Sequence, residues 1–221
     1  MPDLTPLAES PLPEVAQRGA IRVVGSALMR AAYRIRVRGL ENVPAAGGAV
    51  IVSNHVSFID FLFVAVALPR LPHFVMHHAH WRIGALRWFF DLHHVIPIAP
   101  RKEDPAMMSE ALDAIDRALA AGELVMIFPE GDMTRDGDLG PIRSGVERIV
   151  ARRPVPVLPI ALRGLWGSFF SHAGGTPPMK GKRPRRGRSP IEVVVGAPIA
   201  PDELDTARLV DSLRGLRGAP C

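Results

Sequence analysis

The chain has one cysteine in 221 residues, Cys221, which excludes an internal disulfide framework and a cysteine-rich zinc site. It has no apolar run near the roughly 18 residues that a spanning helix requires; the longest, Phe61 to Leu68, stops at Pro69. Met1-Pro2-Asp3-Leu4 lacks the basic start and apolar stretch of a secretory signal, and there is no internal repeat. These absences lead us to expect a single domain in the cytoplasm, with any membrane contact peripheral. Hydrophobic residues make up 48% of the sequence and charged residues 22%, a balance that supports a sizeable core and excludes a disordered tail.

Negative charge is missing from two stretches. Residues 15–40 hold Arg18, Arg22, Arg30, Arg34, Arg36 and Arg38 with no acid, and residues 176–190 hold Lys180, Lys182, Arg183, Arg185, Arg186 and Arg188, again with none. These twelve of the 27 basic side chains leave 15 against 22 acidic ones, so a net charge of +5 resolves into two cationic segments on a body of −7. The total alone admits nucleic acid, a phospholipid surface or a phosphorylated metabolite. In the first segment Ile21, Val24, Leu28, Ala31 and Ile35 recur at helical spacing. That stripe suits a helix lying on an anionic membrane and equally a surface helix packed on the domain. The second segment has too much proline and glycine for regular structure. It reads as a loop, one that holds phosphate or lipid headgroups or is simply solvated.

After a proline-rich leader to about Pro13, short β-branched runs alternate with helical patterns. Strands are expected at Ile35 to Leu40, Ala49 to Ser53, His73 to Met76, Val95 to Ile98, Leu124 to Phe128, Val155 to Ala161 and Ile191 to Val195. Helices are expected at Phe58 to Leu68, Trp81 to Leu92, Pro105 to Ala121, Gly145 to Ala151 and Pro201 to Leu216. The alternation predicts an α/β fold with a largely parallel mixed sheet of about seven strands flanked by helices. Residues 1–34 are then a leader and basic amphipathic helix, and 35–221 the α/β domain. Sites in such folds gather at the carboxyl ends of the strands.

Two strand ends carry chemistry. The apolar strand to Ser53 runs into Asn54-His55-Val56-Ser57-Phe58-Ile59-Asp60. On a regular helix His55 and Asp60 would point roughly 140° apart, given 3.6 residues per turn; they meet only if His55 precedes the helix. A carboxylate on one ring nitrogen then leaves the other free as a base, with a substrate hydroxyl as nucleophile. The alternative is Ser57 or Asn54 as a helix cap and His55 as a surface residue. At the second end, Leu124 to Phe128 delivers Pro129-Glu130-Gly131 into a polar loop with Arg135 and Arg143 nearby. Such a loop can bind a headgroup and its phosphate, or be a plain connection.

Taken together these residues resemble the glycerolipid acyltransferase family, which includes the lysophosphatidic acid acyltransferases. Asn54-His55 to Asp60 is similar to its His-x-x-x-x-Asp block, Val95-Ile-Pro-Ile98 to its second block, Phe128-Pro-Glu-Gly131 to its third and Val155-Pro-Val-Leu-Pro-Ile160 to its fourth, in order over about residues 35–200. Phe128 to Gly137 and Leu162 to Ser168 look closest to the domains fused to transporter-like membrane segments in bacterial lysophospholipid acyltransferases, without that membrane part. The resemblance implies fatty acyl transfer from acyl-CoA or an acyl carrier protein to the hydroxyl of a lysophospholipid, such as a 1-acylglycerol-3-phosphate. It implies His55 as general base, Asp60 as its orienting partner, and no cofactor beyond the thioester co-substrate. Asn54, Ser57, Arg101, Glu130, Gly131, Arg135 and Arg143 are the expected substrate-binding residues. The family's third block usually continues Thr-Arg-Ser where Asp132, Met133 and Thr134 stand. Its second block usually ends in arginine where this chain has Pro100, with Arg101 one place later. These departures favour a larger headgroup, such as a lysophosphatidylethanolamine, or recruitment of Arg101, Arg135 or Arg143 to the phosphate. Rival readings are an O-acyltransferase for another lipid, such as an acyl-ornithine, and an inactive lipid- or nucleic-acid-binding homologue. With the blocks lying between the two cationic segments, an anionic bilayer on the inner face of the cell membrane is the expected partner, and nucleic acid is not.

His73, His77, His78, His80, His93 and His94 raise a metal reading. No neighbouring acidic motif completes it in sequence, so no metal site is expected. Trp81, Trp88, Phe89 and Phe90 with Arg82 and Arg87 make an aromatic helix that suits either the core or a membrane interface.

Overall fold

The computed structural model describes residues 25, 27–82, 95–173 and 189–218. The leader, the aromatic helix beyond Arg82, His93 and His94, the basic loop from 176 to 188, and Cys221 lie outside the described residues.

Uninterrupted apolar runs bounded by turn residues make the central strands, because a strand covered on both faces needs no polar alternation. β2 (Ala49–Ser53) is buried at every position. It pairs in parallel with β5 (Leu124–Ile127) on one side and β6 (Val157–Arg163) on the other. β3 (His73–His77) continues the parallel set beyond β5, and β4 (Ile96–Ile98) closes that edge. On the other side β7 (Ser189–Val195) runs antiparallel to β6, and β1 (Tyr33–Arg38) lies parallel to β7 at the far edge. The order is β1-β7-β6-β2-β5-β3-β4. The fold is the expected α/β architecture with seven strands in a mostly parallel mixed sheet.

Alternation along the strands divides the core into two layers. Ala49 and Ile51 of β2 and Met126 of β5 face Phe63, Val64 and Leu68, on and just after α1 (Asp60–Ala67). Val50, Val52 and Val125 face the opposite layer, made by Ile115 of α2 (Pro105–Ala120), Ile149 of α3 (Gly145–Arg152) and Leu213 of α4 (Thr206–Arg217). α2 starts where Asp104 accepts the Met107 N–H at 2.9 Å and Pro105 takes the first helical position, which needs no amide donor.

Two expectations change. The helix expected from Pro201 to Leu216 is a 3-10 turn, Pro201–Glu203, followed by α4, because Asp205 is extended and caps the second segment by accepting the Arg208 N–H. The stripe of the first basic segment does not continue to Ile35. Residues 27–32 are helical, but pairing with β7 draws Tyr33–Arg38 into a strand. Its period drops to two, with Tyr33, Ile35 and Val37 turned inward and Arg34, Arg36 and Arg38 exposed. Met29 packs on the core, whereas Leu28 is 66% exposed.

Phe63 joins α1 to β1, its ring meeting Tyr33 edge-on at 5.0 Å, and it is fully buried. Phe63→Ala removes that contact and leaves a cavity. We expect a loss of about 3–5 kcal/mol in unfolding free energy, read from the urea midpoint.

Candidate active site

β2 and β5 are parallel neighbours, so their carboxyl ends deliver two turns side by side. The first leaves Ser53 through Asn54 and His55 and enters α1 at Asp60. His55 stands in the turn and Asp60 at the first helical position, which brings His55 Nδ1 to 2.9 Å from Asp60 Oδ2. Oδ2 also accepts the backbone N–H groups of Val56 at 2.6 Å and Ser57 at 2.9 Å. The carboxylate thus ties the turn to itself. It accepts a hydrogen bond from Nδ1–H, which holds the ring proton on Nδ1 and leaves the Nε2 lone pair free. Nothing among the described residues hydrogen-bonds to Nε2.

Asp60 is completely buried, and its Oδ1 has no hydrogen-bond partner among the described residues. Burial pushes its proton affinity above the ordinary carboxylate range. The His55 ring and the two amides pull the other way and do not fully offset desolvation.

The second turn pins the first. Glu130 is 5% exposed and spans two backbone donors: Oε1 accepts the His55 N–H at 2.7 Å and Oε2 the Gly140 N–H at 2.7 Å. Burial raises its carboxyl too, against the two amide bonds and the nearby His55. Thr134 N–H donates to the His55 carbonyl at 2.8 Å. The Phe128 ring stacks on the His55 imidazole with centroids 4.0 Å apart and planes 14° from parallel. His55 is therefore held by both its backbone groups, one ring nitrogen and one ring face.

Gly131 has φ of +74°, and a Cβ there would stand 2.8 Å from the Arg143 guanidinium carbon. The missing side chain is what lets Arg143 lie across the loop. Gly137, at φ +92°, makes the same allowance for the Trp166 indole. Arg217 of α4 anchors the loop from outside through Asp138 at 2.6 Å.

A cavity of about 560 Å³ opens beside His55, a size typical of small-molecule sites. Phe58, Phe61, Val75, Met76, Ile98, Met108, Ile127 and Phe128 give it an apolar wall, and Arg101, Asp132, Arg143 and Arg148 contribute charge. Of the residues marked in the sequence, His55, Arg101, Gly131 and Arg143 line it, with Asp60 directly behind His55.

The other marked residues stand elsewhere. Asn54, 2% exposed, exchanges two hydrogen bonds with the Leu162 backbone and so clips the end of β2 to β6. Ser57 is buried, bridges to Ser171 and accepts the Ile59 N–H. Neither reaches the cavity, and neither caps α1. The Glu130 carboxylate is spent on backbone donors rather than turned to the chamber, and Arg135 is exposed beside Asp132 at 4.0 Å. Sequence reasoning passed over Phe128 as a ring support, and Met108 and His172 as wall residues. Only the position of Phe128, directly after β5, could have signalled its role.

Residues 34–163 match the protein-family model described as Acyltransferase. A chloroplastic 1-acyl-sn-glycerol-3-phosphate acyltransferase of Brassica napus is 33% identical over 133 residues, covering 60% of this chain and 38% of that one. The mouse 1-acyl-sn-glycerol-3-phosphate acyltransferase alpha is 27% identical over 224 residues, covering 94% and 73%. In fold, the chain is similar to the 1-acyl-sn-glycerophosphate (LPA) acyltransferase PlsC of Thermotoga maritima, with a TM-score of 0.71 at 18% identity over 92% of this chain and 79% of that one. The chain spans less than two fifths of the Brassica relative.

A carboxyl whose proton affinity rises on folding binds more protons folded than unfolded above the ordinary carboxylate range, so its contribution to stability falls as pH rises. Asp60→Asn removes that group and leaves Glu130 in place. The variant should gain stability relative to the wild type as pH rises above about 4, the ordinary carboxylate value, followed as the difference in urea midpoints. A gap that moves the other way would show that the ring and amide donors outweigh burial.

Proposed function

The chain belongs to the acyltransferase family, and from that premise we propose that it transfers a fatty acyl group from acyl-CoA or an acyl carrier protein to the free hydroxyl of a lysophospholipid. The observation that carries the reading is a histidine oriented by a buried carboxylate, its free Nε2 beside an apolar cavity. No serine, threonine or cysteine among the described residues hydrogen-bonds to that ring, so the nucleophile comes with the substrate.

In the proposed reaction His55 Nε2 takes the proton of the acceptor hydroxyl as its oxygen attacks the thioester carbonyl. The new carbon–oxygen bond forms, the carbon–sulfur bond breaks, and the proton passes from the imidazolium to the departing thiolate. Asp60 keeps the ring in the tautomer that can accept, and offsets the charge the ring gains. Phe128 shields one ring face from water. The apolar wall fits an acyl chain, and Arg143 with Arg101 offers charge-assisted hydrogen bonds to a phosphate. The relatives' printed names, 1-acyl-sn-glycerol-3-phosphate acyltransferases, support a lysophospholipid acceptor. Met133 and Pro100, which stand where the family usually carries arginine, support one with a larger headgroup.

No described helix is long and apolar enough to cross a membrane. A peripheral bilayer contact on the cytoplasmic side is supported by the arginine row of β1, which leaves Arg34 and Arg36 exposed.

Labelled acyl-CoA or acyl carrier protein, offered with a panel of lysophospholipids, tests the reaction. His55→Ala should lower turnover by about 10²–10⁴-fold, and Arg143→Ala should raise the acceptor KM by about tenfold or more. Full activity in His55→Ala, or no acceptor acylated by the wild type, overturns the mechanism. Replacing Arg34 and Arg36 by Gln should weaken binding to anionic vesicles by about tenfold or more at low salt, with the difference shrinking as salt is added. Equal binding removes β1 from the membrane contact.

A further inference from the structure

We infer that His77, His78 and Glu103 form a binding site for a divalent cation of the zinc class. The two imidazoles are consecutive in sequence, and on a continuing strand they would point to opposite faces. They do not, because β3 ends at His77 and His78 begins the 3-10 turn His78–Arg82. That break brings both rings to one carboxylate. His77 Nε2 lies 3.2 Å from Glu103 Oε2 and His78 Nε2 2.6 Å from Glu103 Oε1.

Glu103 comes from the segment before α2, and the pairing of His77 with Ile98 of β4 carries that segment alongside β3. The acidic partner absent from the local sequence is therefore supplied across the sheet edge. One donor atom from each residue lies within 4.8 Å of the other two. All three side chains are partly exposed, so modest rotations reach the ~3.4 Å spacing that tetrahedral ligation at about 2.1 Å demands.

Two imidazoles and a carboxylate are a donor set that zinc accepts, with a fourth position left for water or an anionic oxygen. Ligation through Nε2 puts the His77 ring proton on Nδ1, so the 3.3 Å contact that Nδ1 accepts from the Ala79 N–H is given up. His77 also lines the cavity, as does Arg101. A bound cation adds positive charge to that part of the wall.

The test is titration of the full chain with Co²⁺, whose visible absorption reports ligation, followed by competition with Zn²⁺. The wild type should bind one equivalent saturably, and Zn²⁺ should raise its thermal midpoint. His77→Ala, His78→Ala and Glu103→Gln should each weaken binding by more than about tenfold, since even outer partners of metal ligands are worth about 10–100-fold in affinity. A His73→Ala variant, at the other end of β3, should bind as the wild type does. No saturable Co²⁺ spectrum, or equal affinity in the three single variants, overturns the site and leaves the residues as ion pairs joining β3 to the loop before α2. The readout involves no acyl transfer, so its failure is separate from any failure of the proposed reaction.

Discussion

Everything in the candidate active site depends on a carboxylate that water does not reach. Asp60 is the first residue of α1, and its Oδ2 gathers the His55 ring and the amides of Val56 and Ser57 onto one oxygen. An isolated buried carboxylate is costly. Three donors on Oδ2 offset part of the cost, and the unpartnered Oδ1 shows that the rest is not offset locally. The packing of the two core layers carries the difference, which is the usual relation between a preorganised site and the scaffold that holds it. The same desolvation strengthens the contact between Asp60 and His55, because few dipoles compete for either group.

A second buried carboxylate extends this logic from the turn to the loop. Among the described residues Glu130 has no ion-pair partner; it bridges the amides of His55 and Gly140, and Thr134 returns a bond to the His55 carbonyl. Such bridging requires β2 and β5 to be neighbours with their ends level, and the parallel register of Val52 with Ile127 provides that. The two motifs, 75 residues apart, become one unit because the sheet inserts β5 directly beside β2.

The fold was legible in the sequence wherever a segment's own pattern decided its structure. Ala49 to Val52 is apolar throughout and became the central strand; Asp104-Pro105 announced the start of α2. Legibility failed where a distant partner decided. A strand was expected from Ile35 and is there, but Tyr33 and Arg34, expected to end the basic helix, are drawn into it by pairing with β7. The spacing of His55 and Asp60 left their contact open, since it depends on His55 preceding the helix; the structure has His55 in the turn and Asp60 at the first helical position. The uses of Asn54 and Glu130 could not be inferred, because their partners are Leu162 and Gly140. The same reason hid Glu103, which meets His77 and His78 from 26 and 25 residues away.

The departure at Met133 can now be given a physical meaning. Met133 is 8% exposed and lines the cavity where the resembled family usually carries arginine. A cation there would be desolvated against Phe128 and the apolar wall unless the acceptor's phosphate always met it. Arg143 arrives instead from the far side of the loop, over the bare Cα of Gly131, with its own N–H bonded to the Pro129 carbonyl. Positive charge thus enters from a different direction and leaves the Met133 side of the chamber apolar.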